Sequence, residues 1–334
     1  MRNALGLLLA SHLCCSPMHA AENPISVDVG LGDITINKVP FLIAADNGIY
    51  ERNGLDIHQF ISPRAAELAR RSGVFVPRET VRENSDAAPI LVGGASPSIY
   101  GAVYSGGIDR VVLASLENVV KGHIIASPDI HTIDDLRGKR FGFSNVGRAG
   151  HIGWLSFARE MGWTQGSDFT LVERANTISD ILEGRADATT ASAVLVALAP
   201  EAGLNDIVDL QDYALAFAGS GINAERSWLA GNRDIAARFV KSAVEAIALM
   251  KTERAAFDAS VSKWLNITDT PTLNSMYAAA LGFPERPYPS VDGIGIIMEI
   301  YDTPEMRAHS AEDFYDSSFI EELERSGALD ALYR

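Results

Sequence analysis

One stretch restricts the fold more than any other: Ile133-Asp134-Asp135-Leu136-Arg137-Gly138-Lys139-Arg140-Phe141-Gly142-Phe143-Ser144-Asn145-Val146-Gly147-Arg148-Ala149-Gly150-His151, which runs into an amphipathic segment over 152–161. Asp134-Asp135-Leu136 reads as a short helical turn, Arg137-Gly138-Lys139 as a turn, and 140–143 as a brief strand. Small polar residues and glycines follow, and then a helix. That order aims unpaired backbone N–H groups, and the positive end of a helix dipole, at one point just beyond a strand. A small polar or anionic ligand can be held there. The same order also makes an ordinary strand-loop-helix connection of the kind common in α/β folds.

The rest of the chain fits that class. Residues 25–31 alternate like a strand, 40–50 have helical periodicity, and 55–61 alternate again, a βαβ start that predicts a parallel sheet. A helix is expected over 65–71, irregular chain over 73–88, a buried strand over 89–94, and a helix opened by Ala95-Ser96-Pro97-Ser98. Strands over 110–116 and 123–126 read as an outward crossing. Beyond them come a strand (140–143), helix (151–161), strand (169–173), helix (177–184) and strand (186–190). Residues 206–218 read as a return crossing, and 223–252, 255–265, 271–281, 291–302 and 318–331 as helices.

Three phrases stand in a telling order. They are Pro40-Phe41-Leu42-Ile43-Ala44-Ala45-Asp46-Asn47-Gly48-Ile49-Tyr50-Glu51-Arg52-Asn53-Gly54-Leu55-Asp56-Ile57, then Leu136-Arg137-Gly138-Lys139-Arg140-Phe141-Gly142, then Gly184-Arg185-Ala186-Asp187-Ala188. With the tail over 316–330, they make the chain resemble the periplasmic solute-binding proteins that serve nitrate, aliphatic sulfonate, taurine and thiamine-pyrimidine uptake, the NMT1/THI5-like family. The family phrase Gly-x-x-Asp, usual before the third strand, is missing, and extra residues occupy 73–88. The resemblance implies an α/β, type II periplasmic-binding-protein fold of two lobes, each a central mixed sheet flanked by helices, joined by a two-crossing hinge. Lobe 1 is then 25–114 with 222–334, and lobe 2 is 115–221. It also implies a function: a small polar or anionic solute is captured between the lobes and delivered to the permease of an inner-membrane ABC importer. The alternatives are a THI5-like pyrimidine-synthesis enzyme using pyridoxal phosphate, and a periplasmic ligand sensor that answers to a receptor.

Composition narrows these. A formal charge of −15 leaves no basic face for nucleic acid or an anionic membrane. Residues 1–20 read as a secretory signal, with Arg2 ahead of a short apolar run and a cleavage region at Pro17-Met18-His19-Ala20, where Met18 is larger than the favoured small residue. A monomeric periplasmic protein is the expectation. Cys14 and Cys15 both fall inside the signal, so the mature chain has no thiol nucleophile or Cys metal site, and it lacks the Cys-rich motif of the enzyme branch.

No catalytic residue, metal or cofactor is expected. Gly219-Ser220-Gly221-Ile222-Asn223-Ala224 matches Gly-x-Gly-x-x-Ala, but no strand with an acid at its end follows the expected helix, so the dinucleotide reading is rejected. The histidines are scattered without metal-ligand spacing. Ligand residues are expected in loops at the carboxyl ends of strands. Lys38, Pro40, Phe41, Ser96 and Ser98 are nominated from lobe 1, and Ser144, Asn145, Arg148, His151, Thr190 and Ser192 from lobe 2. Ser96 or Ser98 can equally cap a helix. Arg148 suits a carboxylate, sulfonate or phosphate, or is a solvated loop arginine. His151 binds ligand or caps its own helix. Tyr288, on a Pro-flanked loop, is the aromatic candidate, whereas Trp154, Trp163, Trp228 and Trp264 read as core and Asp187 as a loop brace.

Overall fold

The computed structural model describes residues 24–71, 74–104, 109–191 and 193–334. The expected signal segment and Ser192 lie outside them. Strand β1 (Ile25–Leu31) leads through a 3₁₀ turn into α1 (Val39–Asp46) and α2 (Ile49–Arg52). The single helix expected over 40–50 is broken because Gly48 sits at φ +63°, a left-handed turn that glycine adopts without cost. Strand β2 (Leu55–Ile61), α3 (Pro63–Arg71), β3 (Ile90–Gly94), α4 (Ala95–Tyr104) and β4 (Arg110–Ser115) follow. The chain then crosses to a second sheet made from β5 (His123–Ala126), β6 (Arg140–Phe143), β7 (Thr170–Glu173), β8 (Ala188–Ala191) and β9 (Asn205–Asp209). Helices α5 (Ala149–Glu160), α6 (Ile178–Leu182) and α7 (Ala193–Leu198) connect those strands.

The return brings β10 (Ser220–Glu225) back into the first sheet. After it come α8 (Arg226–Leu229), α9 (Arg233–Thr252), α10 (Arg254–Leu265), α11 (Thr270–Leu281), α12 (Val291–Ile300), α13 (Ser318–Arg325) and α14 (Ala328–Ala331). Gly327, at φ +73°, separates the last two where one helix was expected.

The two sheets repeat one plan. The first has the order β2-β1-β3-β10-β4, the second β7-β6-β8-β5-β9. In each, the fourth strand is antiparallel to its neighbours and is the one that arrives from the other sheet. Each crossing strand is thereby locked between two others, and the linker residues 116–122 and 214–219 run side by side, joined by hydrogen bonds from Val120 N–H to Leu215 O and from Phe217 N–H to Asn118 O.

Strand β10 corrects the helix expected from residue 223. Asn223 is fully buried and donates its side-chain amide to Gly93 O at 3.0 Å, and a Cβ on Gly221 would lie 2.3 Å from Ala114 O. The Gly-x-Gly pattern is therefore a strand packed tightly between two neighbours rather than a phosphate turn.

The first sheet has its own core, and the core of the second runs on into α4, β4 and α12. Phe239 of α9 stacks on Phe41 and Tyr50 at 5.8 Å from each, covering one face of the first sheet, and Phe141 of β6 stacks on Trp154 of α5 at 3.9 Å. Asp187 takes three hydrogen bonds from the backbone and guanidinium of Arg140, tying the loop before β8 to the start of β6. Burial pushes its carboxyl pKa up, but those hydrogen bonds outweigh burial and the net shift is downward. Asp187 thus contributes stability that is present above the unfolded carboxylate range and lost as pH falls through the lowered folded value. Arg140→Met should flatten that acid limb, which urea midpoints measured from pH 6 down to pH 3 would report.

Candidate functional site

The site begins where two strands end. β3 runs directly into α4 at Ala95, and β6 passes through residues 144–148 into α5 at Ala149, so both helix N-termini open at the carboxyl ends of their strands. α12 packs against both α4 and α5. At its end, Tyr301 places its hydroxyl 3.3 Å from Ser96 Oγ on α4. On the other side, a Cβ built on Gly147 would meet that hydroxyl at 1.8 Å and Ser96 Oγ at 2.8 Å. Two helix starts from different sheets therefore meet around one phenolic hydroxyl, and only a residue without a side chain fits between them. Gly147 also sits at φ +74°, which gives it a second reason to be glycine. Tyr104 on α4 donates to Tyr301 O at 2.8 Å, and Tyr100 lies 5.1 Å from the Tyr301 ring. An ion pair between Arg159 of α5 and Glu299 of α12 adds a second tie across the junction.

His151 supports this loop from within. It is buried on the first turn of α5 and its Nδ1 accepts the Gly147 N–H at 3.2 Å. That bond requires an unprotonated Nδ1, so the proton of the neutral ring sits on Nε2. Burial pushes the imidazole pKa down, with the charge of Glu173 opposing it in part. The depressed value means the unfolded chain takes up a proton first as the solution is acidified. The contribution is complete above about pH 6.5 and declines as pH falls from there toward the lowered folded value. His151→Gln should remove that slope between pH 7 and 5, and chemical denaturation across that window is the check.

The other nominated residues are distributed as follows. Thr190, on β8, sets its hydroxyl against the first turn of α5, 2.6 Å from where a Gly150 Cβ would be. Ser98 is buried and its hydroxyl has no hydrogen-bond partner among the described residues. Arg148 is the N-cap residue of α5, exposed and without an ion pair among the described residues. Asn145 is exposed, with its amide 3.4 Å from Glu173, and Ser144 accepts the Arg174 N–H through its carbonyl. Ser96, Thr190, Arg148 and His151 are thus gathered around the two helix starts.

Four others are held elsewhere. Lys38 is fully buried, with its ammonium 2.9 Å from Asp33 and 3.1 Å from Ser220 on the return crossing. Pro40 and Phe41 are buried in α1, Phe41 beneath α9. Tyr288 donates its hydroxyl to Glu324 of α13 at 2.5 Å, which lifts its pKa to about 12. Sequence reasoning missed Tyr301 altogether. Its only signal was the aromatic pair Tyr100 and Tyr104, four residues apart, which leaves room for a third ring.

Comparison with known proteins agrees with this architecture. The family model described as NMT1/THI5 like matches residues 105–254. No curated protein matches the sequence. Among solved structures, the putative periplasmic sulfonate-binding protein SsuA of Methylobacillus flagellatus KT is similar at TM-score 0.65 and 12% identity, covering 92% of this chain and 96% of that one. The periplasmic nitrate-binding protein NrtA of Synechocystis PCC 6803 is similar at TM-score 0.60 and 12% identity, over 91% of this chain and 89% of that one. The desulfurization enzyme DSZB is also similar, at TM-score 0.57 and 14% identity, over 90% and 99%. The fold thus serves binding proteins in most of these cases and an enzyme in one. This chain has the fold of the periplasmic binding proteins, and across its middle, residues 105–254, it matches the NMT1/THI5-like family.

Proposed function

We propose that this protein is the exported solute-binding component of an ABC importer and that it takes a small anionic solute at the junction of α4 and α5. The observation that carries this reading is the meeting of two helix N-termini from separate sheets around the Tyr301 hydroxyl. Ala95 N–H is taken by Gly219 O and Pro97 has none, so the other first-turn N–H groups, with two positive dipole ends, are what the junction offers an anion. Arg148, exposed and unpaired among the described residues, supplies the adjustable cation. Two of the similar structures are named for sulfonate and nitrate, both anions, which supports the same class. In this reading the lobes are 25–114 with 222–334 and 115–221, and the paired linkers between the sheets form the hinge. Opening separates the two helix starts and admits the solute between them, and closure then holds the solute in place of their direct contact, a shape the permease can sense.

Calorimetric titration of the mature protein with alkanesulfonates, nitrate and bicarbonate tests the reading. One anion class should bind saturably, and Arg148→Ala should weaken it about tenfold, the loss of one charge-assisted hydrogen bond. Absence of binding by every anion, or an Arg148→Ala affinity equal to wild type, would refute the anion assignment.

A further inference from the structure

A cavity of about 200 Å³ lies in the first sheet's half of the molecule, at the edge strand β2, and none of the residues of the α4–α5 junction lines it. Leu42 and Ala45 of α1, Ile57 of β2 and Trp264 of α10 wall it. Phe75, 55% exposed, closes its outer side and comes from the irregular segment where the usual Gly-x-x-Asp phrase is missing. The volume lies between that of a cavity holding one benzene, about 150 Å³, and a pocket for a drug-sized ligand, so it suits a single ring with one substituent.

One polar atom in this apolar lining has no donor among the described residues. Gln59 donates its side-chain amide to Phe41 O at 3.1 Å, which fixes the orientation of the group and leaves Oε1 buried with no donor among the described residues. The side-chain donors that line the same cavity each have another partner. Lys38 gives its ammonium to Asp33 and Ser220, Thr80 its hydroxyl to Pro77 O, and Trp264 its indole N–H to Asp46. A buried acceptor without a donor is costly, and a donor on an incoming molecule would satisfy it. The Lys38 charge is neutralised by Asp33, so no uncompensated charge invites an ion.

We infer that this cavity is a second binding site, separate from the solute site, for a neutral single-ring molecule whose O–H or N–H donates to Gln59 Oε1. Phenol and toluene form the matched probe pair, since they share a ring and nearly a volume and differ in the donor. The readout is the indole N–H resonance of Trp264, identified by its loss in Trp264→Phe and followed during titration of the full mature protein. Phenol should shift it saturably and bind about tenfold more tightly than toluene, the discrimination one buried hydrogen bond supplies. Gln59→Met, which keeps the length and removes the acceptor, should equalise the two probes. Ala45→Leu, which fills the cavity, should abolish both shifts. Should Ala45→Leu fail to fold, displacement of toluene by phenol at the same resonance in the wild-type protein decides the matter. No saturable shift with either probe, equal affinity of the wild-type protein for both, or phenol binding that survives Ala45→Leu overturns the inference.

Discussion

Gly147→Ala is expected to lower stability by about 2 kcal/mol and to abolish measurable solute binding. Half or more of the stability loss is conformational. Gly147 sits at φ +74°, and an L-residue held there costs about 1–2 kcal/mol. The remainder is steric: the added methyl would fall 1.8 Å from the Tyr301 hydroxyl and 2.8 Å from Ser96 Oγ, so the two must part or the loop must retreat. Retreat of the loop would also move the N–H that His151 accepts, loosening the first turn of α5. The two effects separate experimentally. Gly138→Ala places a methyl at a similar left-handed position, φ +75°, where nothing lies within 4 Å. It should cost about 1–2 kcal/mol through the backbone alone and leave solute affinity unchanged. Comparing the denaturation midpoints and titrations of the two variants measures the contribution of the Tyr301 junction. Equal affinities in both would show that the loop around Gly147 does not form the solute site.

The asymmetry between what could and could not be read beforehand has a physical basis. Strand β1 and the strand at 140–143 were legible at their true limits because alternation and flanking turn residues are local signals. Asp187 was legible as a brace for the same reason, since it lies one position ahead of a strand beside its parallel neighbour's first residue. Strand β10 was not. Its short run Ser220–Glu225 holds two small residues, a glycine and a buried asparagine, which score as a loop or helix start. Only the gap between β3 and β4, two strands far back in the chain, makes it a strand. The surroundings of Lys38 were equally out of reach: Ser220, 182 residues later, and Asp33 take its buried ammonium. Tyr301 escaped notice because its role depends on α12 reaching across to α4 and α5, a long-range contact with no periodic trace in the sequence.

Trp154→Ala should be the most damaging single substitution outside the site, at about 3–5 kcal/mol, and should weaken solute binding without touching solute. Trp154 is completely buried, stacks on Phe141 at 3.9 Å, and donates its indole N–H to Gly142 O at 3.0 Å. Phe141 in turn stacks on Phe169 at 5.1 Å, so one ring holds α5 against β6 and the segment before β7. Removing it leaves a cavity that the rigid sheet cannot close. Gly142 O keeps the Thr189 hydroxyl as a donor at 3.0 Å, so the loss is mainly of packing rather than of hydrogen bonding. Trp154→Phe, which restores most of the ring, should therefore recover more than half of the stability. The binding effect follows from position: Trp154 lies one helical turn after His151, on the same helix whose start faces Ser96 and Tyr301. An α5 loosened from β6 no longer presents its N-terminus at a fixed distance from α4, and affinity should fall in step with stability across the Ala and Phe variants. Urea denaturation and calorimetric titration of both variants provide the check, and an Ala variant that loses stability while keeping full affinity would show that α5 is not part of the solute site.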